Sequence, residues 1–83
     1  MDFKRVNRDI NGNPRYVFHF LDFVNDQDKK KSSNINQLYD LALAKSREIG
    51  GKKYRGKDFG GGIVFQSYNI HDTIKRIKEV KNK

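Results

Sequence analysis

Residues 53–69, KYRGKDFGGGIVFQSYN, run from basic and aromatic residues through three consecutive glycines into a short apolar stretch. The stretch Ile63-Val64-Phe65 consists of β-branched and aromatic residues, which favour a strand. Glycines beside a strand mark a bulge, a tight bend or the close approach of a neighbouring element. The segment therefore predicts two short strands or one bent strand, broken at Gly56 or within residues 60–62.

A β-hairpin is predicted upstream of this segment. Residues 3–8 are short and mixed, and DINGNP at residues 9–14 contains Asn11-Gly12, a dipeptide that tolerates positive φ in tight turns. Apolar residues then fill both faces of the second strand, RYVFHFLDFV at residues 15–24, because side chains alternate along a strand. One face carries Tyr16, Phe18 and Phe20, and the other carries Val17, His19, Leu21 and Phe23. We expect this strand to be central in the sheet, or to hold one face for a partner.

Two helices are predicted downstream, each with an asparagine N-cap. Asn34 caps the first, with Gln37 reaching back as in a capping box, and Gly50-Gly51 ends it. Asn69 caps the second. The apolar positions at helical spacing are Ile35, Leu38, Leu41, Ala42 and Ile49 in the first helix, and Ile70, Ile74, Ile77 and Val80 in the second.

The fold class predicted from these elements is α+β. The order is an N-terminal β-hairpin, a helix, a glycine-rich strand or hairpin and a C-terminal helix (β-β-α-β-(β)-α), with an antiparallel sheet and two helices on one face. Residues 1–83 are expected to form a single small domain. The polar segment at about residues 25–33 is expected to be a flexible loop.

The charge is asymmetric along the chain. The formal net charge is +8, with seven Lys/Arg against six Asp/Glu in residues 1–44 and eleven against four in residues 45–83. An excess of cations in the C-terminal half favours a nucleic acid or an acidic protein surface as partner, although lysine-rich surfaces also serve solubility alone. The chain has no cysteine and no apolar run of membrane-spanning length, so a cytoplasmic location is expected.

The glycines do not form a known nucleotide-binding motif. A Walker loop needs Lys-Ser/Thr opening a helix, and a dinucleotide fingerprint follows a strand, whereas these glycines precede one. The two histidines, His19 and His71, lack metal-ligand spacing, and the acids are scattered. We therefore expect no cofactor and no metal, and we expect a protein that is not an enzyme.

Basic residues interleaved with aromatics are the pattern most typical of nucleic-acid binding, because cations neutralise phosphates and rings stack on unpaired bases. A second group of cations lies on the C-terminal helix, where the alternative is a solvated helix face. The candidate nucleic-acid-binding residues are Lys52, Lys53, Tyr54, Arg55, Lys57 and Phe59 in the first group, and Lys75, Arg76 and Lys78 in the second.

Residues 57–65, KDFGGGIVF, loosely resemble the third-strand signature of the RNA-recognition motif. Lys57, Phe59, Gly60 and Phe65 match that signature only with an extra residue. From Arg15 onward the predicted element order also resembles this fold, but the N-terminal strand has to replace its fourth strand.

Residues 8–23, RDINGNPRYVFHFLDF, and 50–70, GGKKYRGKDFGGGIVFQSYNI, resemble small basic proteins carried by phages and plasmids of AT-rich bacteria. The resemblance brings no functional residues with it. It implies an accessory protein of a mobile element, of a kind that often binds nucleic acid or disables a host defence enzyme.

Two functions therefore stay open. The first is a non-enzymatic nucleic-acid-binding protein, for DNA or RNA, that uses the basic C-terminal half. The alternative is a phage-type inhibitor of a host nucleic-acid-dependent defence or replication protein, anchored by exposed aromatics. The candidate anchors are Tyr16, Phe18, Phe20 and Tyr68. The protein is expected to be a monomer or, by pairing through an exposed glycine-rich edge strand, a homodimer.

Overall fold

The computed structural model describes residues 2–83, which form a four-stranded antiparallel sheet in the order β1-β2-β4-β3 together with three α-helices. The strands are β1 (Phe3–Val6), β2 (Arg15–His19), β3 (Lys52–Lys53) and β4 (Gly62–Gln66), and the helices are α1 (Asp26–Lys31), α2 (Ile35–Arg47) and α3 (Ile70–Lys81). The predicted α+β class is confirmed. The segment predicted to form two short strands or one bent strand forms two strands, β3 and β4.

Strand β2 lies centrally, between β1 and β4, as its two apolar faces predicted. It is shorter than the apolar run, because Phe20–Phe23 leave the sheet as a 3-10 turn. The Nδ1 atom of His19 accepts the Leu21 N–H at 3.2 Å, and the Phe20 N–H donates to the Gly61 carbonyl at 2.9 Å. The first bond caps the turn, which carries Phe20 and Phe23 into the core, and the second extends the pairing of β2 with β4 by one residue.

The register of the sheet separates two faces. Phe18 pairs with Phe3 and Ile63, and Tyr16 pairs with Phe65, so these side chains share one face. Their core is completed by buried residues of α2 and α3, namely Leu38, Tyr39, Ala42, Leu43, Ile77 and Val80. Both predicted helices therefore cover this face, and it is called the helix side below.

The opposite surface of the sheet is called the open face below. By register it is formed by Lys4 and Val6 of β1, Arg15, Val17 and His19 of β2, Gly62, Val64 and Gln66 of β4, and Lys52 of β3.

The caps of the two predicted helices are confirmed. The Asn34 side chain accepts the Gln37 N–H at 3.0 Å, and the Asn69 side chain accepts the Asp72 N–H at 3.1 Å. The Gln37 side chain reaches back one residue further than expected, because its Oε1 accepts the Ser33 N–H at 2.8 Å. Asparagine side chains therefore cap both helices at the predicted positions.

The glycine cluster is a bend, as predicted. Gly60 and Gly61 have φ angles of +104° and +64°, values that residues other than glycine rarely adopt. A Cβ on Gly61 would also lie 2.7 Å from Cε1 of Phe20. The bend lets the chain enter β4 directly beneath that ring.

The prediction of a loop at residues 25–33 is wrong for residues 26–31, which form α1. Asn25 and Asp28 make a capping box, with N–H to side-chain bonds of 2.9 and 3.0 Å in the two directions. None of the residues of α1 is buried, so the helix has no apolar stripe for the sequence to reveal. Polar contacts hold it instead: the Lys45 ammonium lies 2.5 Å from the Asp28 carboxylate and also donates to the Lys81 carbonyl at 3.1 Å.

Within residues 2–83, no helix is both long and apolar enough to cross a membrane.

Candidate nucleic-acid interface

One row of the open face runs straight across the sheet. Lys4 stands opposite Val17, Val17 opposite Val64, and Val64 opposite Lys52. The two valines are half-buried and both lysines are exposed. The row thus has an apolar centre and one cation at each edge of the sheet.

Beside this row lies an open groove of about 800 Å³. Tyr54 is fixed there by its backbone, because the N–H groups of Tyr54 and Arg55 both donate to the Gly62 carbonyl, at 2.9 and 3.3 Å. The Tyr39 hydroxyl donates to the Arg55 carbonyl at 3.3 Å and ties the same segment to α2. The groove residues suited to contact a phosphate or a base are Lys4, His19, Tyr54, Arg55 and Phe59.

Gly62 makes room for the aromatic ring of this groove. A Cβ at this position would lie 2.9 Å from Cγ1 of Val17 and 3.3 Å from Cδ2 of Tyr54. The space above the Gly62 backbone is therefore filled by the side chains of Val17 and Tyr54. The Arg55 guanidinium lies 5.6 Å from the centre of the same ring, within cation–π distance.

Phe59 is the most exposed aromatic residue of the groove, with 76% of its surface accessible. It ends the short 3-10 turn Lys57–Phe59, where its N–H donates to the Gly56 carbonyl at 2.9 Å. An exposed phenylalanine on a hydrogen-bonded turn is a suitable platform for a flat ligand.

His19 adds a hydrogen-bond donor to the groove. Because its Nδ1 accepts the Leu21 N–H, the neutral ring carries its proton on Nε2. The ring is further held by contact with Phe20, at 4.7 Å between ring centres.

Four of the nine candidate residues come together on this side of the sheet. Tyr54, Arg55 and Phe59 line the groove, and Lys52 lies on the open face. Lys53 pairs with Ile63 and therefore belongs to the helix side of the edge strand. Lys57 forms an ion pair with Asp58 at 3.1 Å.

The three candidate cations of α3 lie on the other layer of the molecule. Lys75 and Lys78 are exposed on a helix that covers the helix side, and Arg76 pairs with Asp72 at 3.1 Å. The sheet separates them from the open face. The nine candidate residues therefore do not form one continuous surface.

Several residues of the open face were not candidates from the sequence, namely Lys4, Arg15, Val17 and His19. Alternation placed Val17 and His19 on one face of β2, which the register confirms. What the sequence did not reveal is that this face has no helix on it, or that Lys4 of β1 stands beside it. Both facts depend on long-range strand pairing.

The acids near the open face are few, and one of them is held by its own loop. Asp9 accepts the backbone N–H groups of Asn13 and Asn11, at 2.8 and 2.9 Å. These bonds, that of Asn13 above all, hold the pKa of Asp9 below its ordinary value of 3.8. Asp2 is among the residues that line the groove.

The strand order of the sheet resembles that of the RNA-recognition motif, but the residues that resemble its signature sequence do not lie together on the open face. Strand β1 pairs with β2 and supplies the fourth strand, and β4 lies between β2 and β3 as in a split β-α-β unit. However, Lys57 and Phe59 lie in a turn outside β4, and Phe65 is buried on the helix side. The signature residues therefore do not form a stacking row on the open face.

In the part of the chain that the structure describes, no three His, Asp or Glu side chains are grouped in a way that could hold a metal ion.

The fold and this face define a small basic α+β protein with helices on one side of an antiparallel sheet and a cationic, aromatic-bearing surface on the other. Over its whole length, residues 1–83, the chain matches the family described as Staphylococcus phage terminal repeat-encoded protein TreK, and it belongs to that family. The predicted resemblance to phage proteins is confirmed. No curated protein and no solved structure matches the chain significantly. The protein is thus a phage-encoded accessory protein of a mobile element.

Proposed function

We propose that the protein binds single-stranded nucleic acid on its open face, without catalysing a reaction and without a cofactor. One observation carries the proposal: the cross-sheet row of Lys4, Val17, Val64 and Lys52 lies beside a groove that holds Tyr54 and Arg55. This surface offers cations at its edges and flat or apolar side chains between them.

The chemistry of the surface favours a single strand over a duplex. Aromatic side chains stack on unpaired bases, at about 1 to 3 kcal/mol per base. The bases of a duplex are already stacked on one another, and an α-helix or β-ribbon must enter a groove to reach their edges. The open face is the surface of a sheet whose helices lie on the opposite side, so it suits splayed bases.

Salt dependence gives the proposal a quantitative test. Four cations belong to this side of the sheet: Lys4, Arg15, Lys52 and Arg55. If all four meet phosphates of a single strand, the slope of log K against log salt is about −2.8. Raising salt from 50 to 200 mM then weakens binding about 50-fold.

The experiment is fluorescence anisotropy of labelled single-stranded DNA, single-stranded RNA and duplex DNA of one sequence, titrated at several salt concentrations. A matched pair of double variants locates the site, since each removes two positive charges. Lys52→Ala with Arg55→Ala is expected to reduce the slope to about −1.4. Lys75→Ala with Lys78→Ala on α3 is expected to leave it unchanged.

Two results would contradict the proposal. One is binding no tighter than about 100 μM at physiological salt, the weak end of non-specific affinity. The other is an equal loss of slope in both double variants, which would indicate a diffuse charge effect and no site on the open face.

A second candidate function, docking to a host protein, is favoured by a different surface. Ile10 and Tyr68 are 99% and 83% exposed, the highest values among the large apolar residues of residues 2–83. Their loops adjoin, because the Ser67 N–H donates to the Pro14 carbonyl at 3.1 Å and the Gln66 amide donates to Asp9. The anchors expected from the sequence are mostly wrong, since Phe18 and Phe20 are buried and Tyr16 is half-buried.

This second candidate is tested by placing a photo-crosslinking amino acid at position 10 and, as a control, at position 30 on α1. In staphylococcal cells, docking predicts one dominant crosslinked protein from position 10 only, lost in Tyr68→Ser. Equal crosslinking from both positions would argue against it.

A further inference from the structure

The spacing of the two lysines on the open face sets the length of ligand that it accommodates. Lys4 and Lys52 end one cross-strand row, with β2 and β4 between their strands. Three spacings between neighbouring strands separate them, which is about 14 Å across the sheet. Both side chains are exposed, so both are available to a ligand.

That spacing corresponds to two nucleotide steps. A stacked strand rises about 3.4 Å per nucleotide, and a strand whose bases are splayed onto a protein is stretched to about twice this value. Phosphates two steps apart in such a strand are therefore about 14 Å apart. The shortest unphosphorylated oligonucleotide with such a pair is a tetranucleotide, which has three phosphates.

We propose that the open face holds a four-nucleotide segment that crosses the strands of the sheet, with Lys4 and Lys52 on its first and third phosphates. The inference rests on the proposed function, since it specifies the ligand of the same site.

The surface between the lysines suits the two bases that such a segment places there. Val17 and Val64 form an apolar floor in the middle of the row, and the side chains of Val17 and Tyr54 both lie over Gly62. His19 lines the same groove, and its Nε2–H is a donor for a base or phosphate oxygen. An oligonucleotide that ran parallel to the strands, instead of across them, would contact only one of the two lysines.

The experiment is a length series. Unphosphorylated oligothymidylates of two to eight nucleotides compete with a labelled octamer for the full-length protein at low salt. Affinity is expected to rise more than tenfold from the dimer to the tetramer. An octamer can place any of about five overlapping four-nucleotide windows on the site. Affinity should therefore rise only about fivefold from the tetramer to the octamer.

Three single variants show whether the two lysines set this length. Lys4→Ala and Lys52→Ala are each expected to lower the magnitude of the salt slope by about 0.7 and to abolish the gain from the third to the fourth nucleotide. Lys30→Ala removes the same charge from an exposed position on α1 and is expected to change neither.

The outcomes separate this inference from the proposed function. If the wild-type protein binds none of the oligonucleotides, the proposed function fails and the inference fails with it. If the octamer binds but affinity climbs by a constant factor per nucleotide through all lengths, the four-nucleotide site is wrong while the function stands. The four-nucleotide site is also wrong, while the function stands, if Lys4→Ala leaves the salt slope and the gain from the third to the fourth nucleotide unchanged, as expected for Lys30→Ala.

Discussion

At the scale of single residues, glycines decide how the groove is built. Gly61 enters β4 beneath the ring of Phe20, and Gly62 leaves space for Tyr54 and Val17. A side chain at either position would meet an aromatic ring or a branched methyl group. The bend and the groove are thus two consequences of one short glycine run.

Gly61→Ala is expected to lower the free energy of unfolding by about 3 kcal/mol, the combined effect of left-handed backbone strain and of overpacking against Phe20. Gly60→Ala is the control, because it has a positive φ of +104° and no atom within 4 Å of a Cβ. Strain alone should cost that variant about 1 kcal/mol. Urea unfolding measures both, and equal losses would show that the contact with Phe20 is unimportant.

The residues that the sequence identified correctly are those whose role is local. Asn34 and Asn69 cap helices through bonds to residues three positions along the chain, and the glycine bend follows from backbone conformation. Lys4 and His19 belong to the candidate site only because β1 and β4 pair with β2. No local pattern marks such a residue.

At the scale of elements, α1 shows how a helix without an apolar stripe is attached. Lys45, almost fully buried, bridges the Asp28 carboxylate of α1 and the Lys81 carbonyl at the end of α3. The Asn25 side chain donates to the same carbonyl at 2.8 Å. One buried ammonium therefore connects all three helices, and removing its partner would leave a buried charge uncompensated.

The way in which each element is attached explains whether it could be predicted from the sequence. The helices α2 and α3 bury apolar residues at helical spacing, and this periodicity revealed them. Helix α1 is held by polar contacts over long sequence distances, and the 3-10 turn after β2 begins inside an apolar run that looks like a continued strand. Neither has a periodic signal.

Asp28→Asn is expected to lower the free energy of unfolding at pH 7 by about 3 kcal/mol. Burial raises the pKa of Asp28, but the Lys45 ammonium and the Asn25 N–H outweigh it, and the pKa lies below the ordinary 3.8. At pH values between this lowered pKa and 3.8, the unfolded chain therefore binds more protons than the folded protein. The stabilisation is therefore full above pH 3.8 and lost as the pH falls through the lowered pKa.

Urea unfolding from pH 7 down to pH 2 measures this effect. The difference between wild type and Asp28→Asn should shrink as the pH falls below about 4. Asp26→Asn, an exposed position in the same helix turn, should differ from wild type by less than about 0.5 kcal/mol at every pH. A constant Asp28→Asn deficit at all pH values would contradict the ion-pair explanation.

At the scale of the whole molecule, the edges of the sheet bear on self-association. The glycine-rich strand β4 lies inside the sheet, so the prediction that it forms an exposed edge is wrong. The edge strands are β1 and β3, and each carries two adjacent cations. Lysine and arginine on an edge discourage pairing with another copy.

We therefore expect a monomer in sedimentation velocity at micromolar concentrations. Replacing both residues of β3, Lys52→Val with Lys53→Val, is expected to produce concentration-dependent association, because it removes the charges from an unpaired edge. The matched variant Lys75→Val with Lys78→Val loses the same charge on α3 and should stay monomeric. A wild-type dimer would contradict this account of the edges.

The whole-molecule charge pattern also shows the limit of sequence reasoning. The excess of cations in the second half of the chain predicted a basic surface there, but the sheet divides those cations between two layers. The open face instead combines Lys4 and Arg15 from the first half with Lys52 from the second. A sum of charges along the chain cannot reveal a surface that strand pairing creates.

Binding of a single strand to the open face is tested most directly by a ¹H–¹⁵N correlation spectrum of the labelled protein, titrated with oligothymidylate of four nucleotides. We expect the shifted amides to belong to the open face and its groove, with Lys4, Val17, Tyr54 and Val64 among them, while those of α3 stay unchanged. Shifts concentrated on Lys75, Arg76 and Lys78, or no shifts at millimolar ligand, would contradict it.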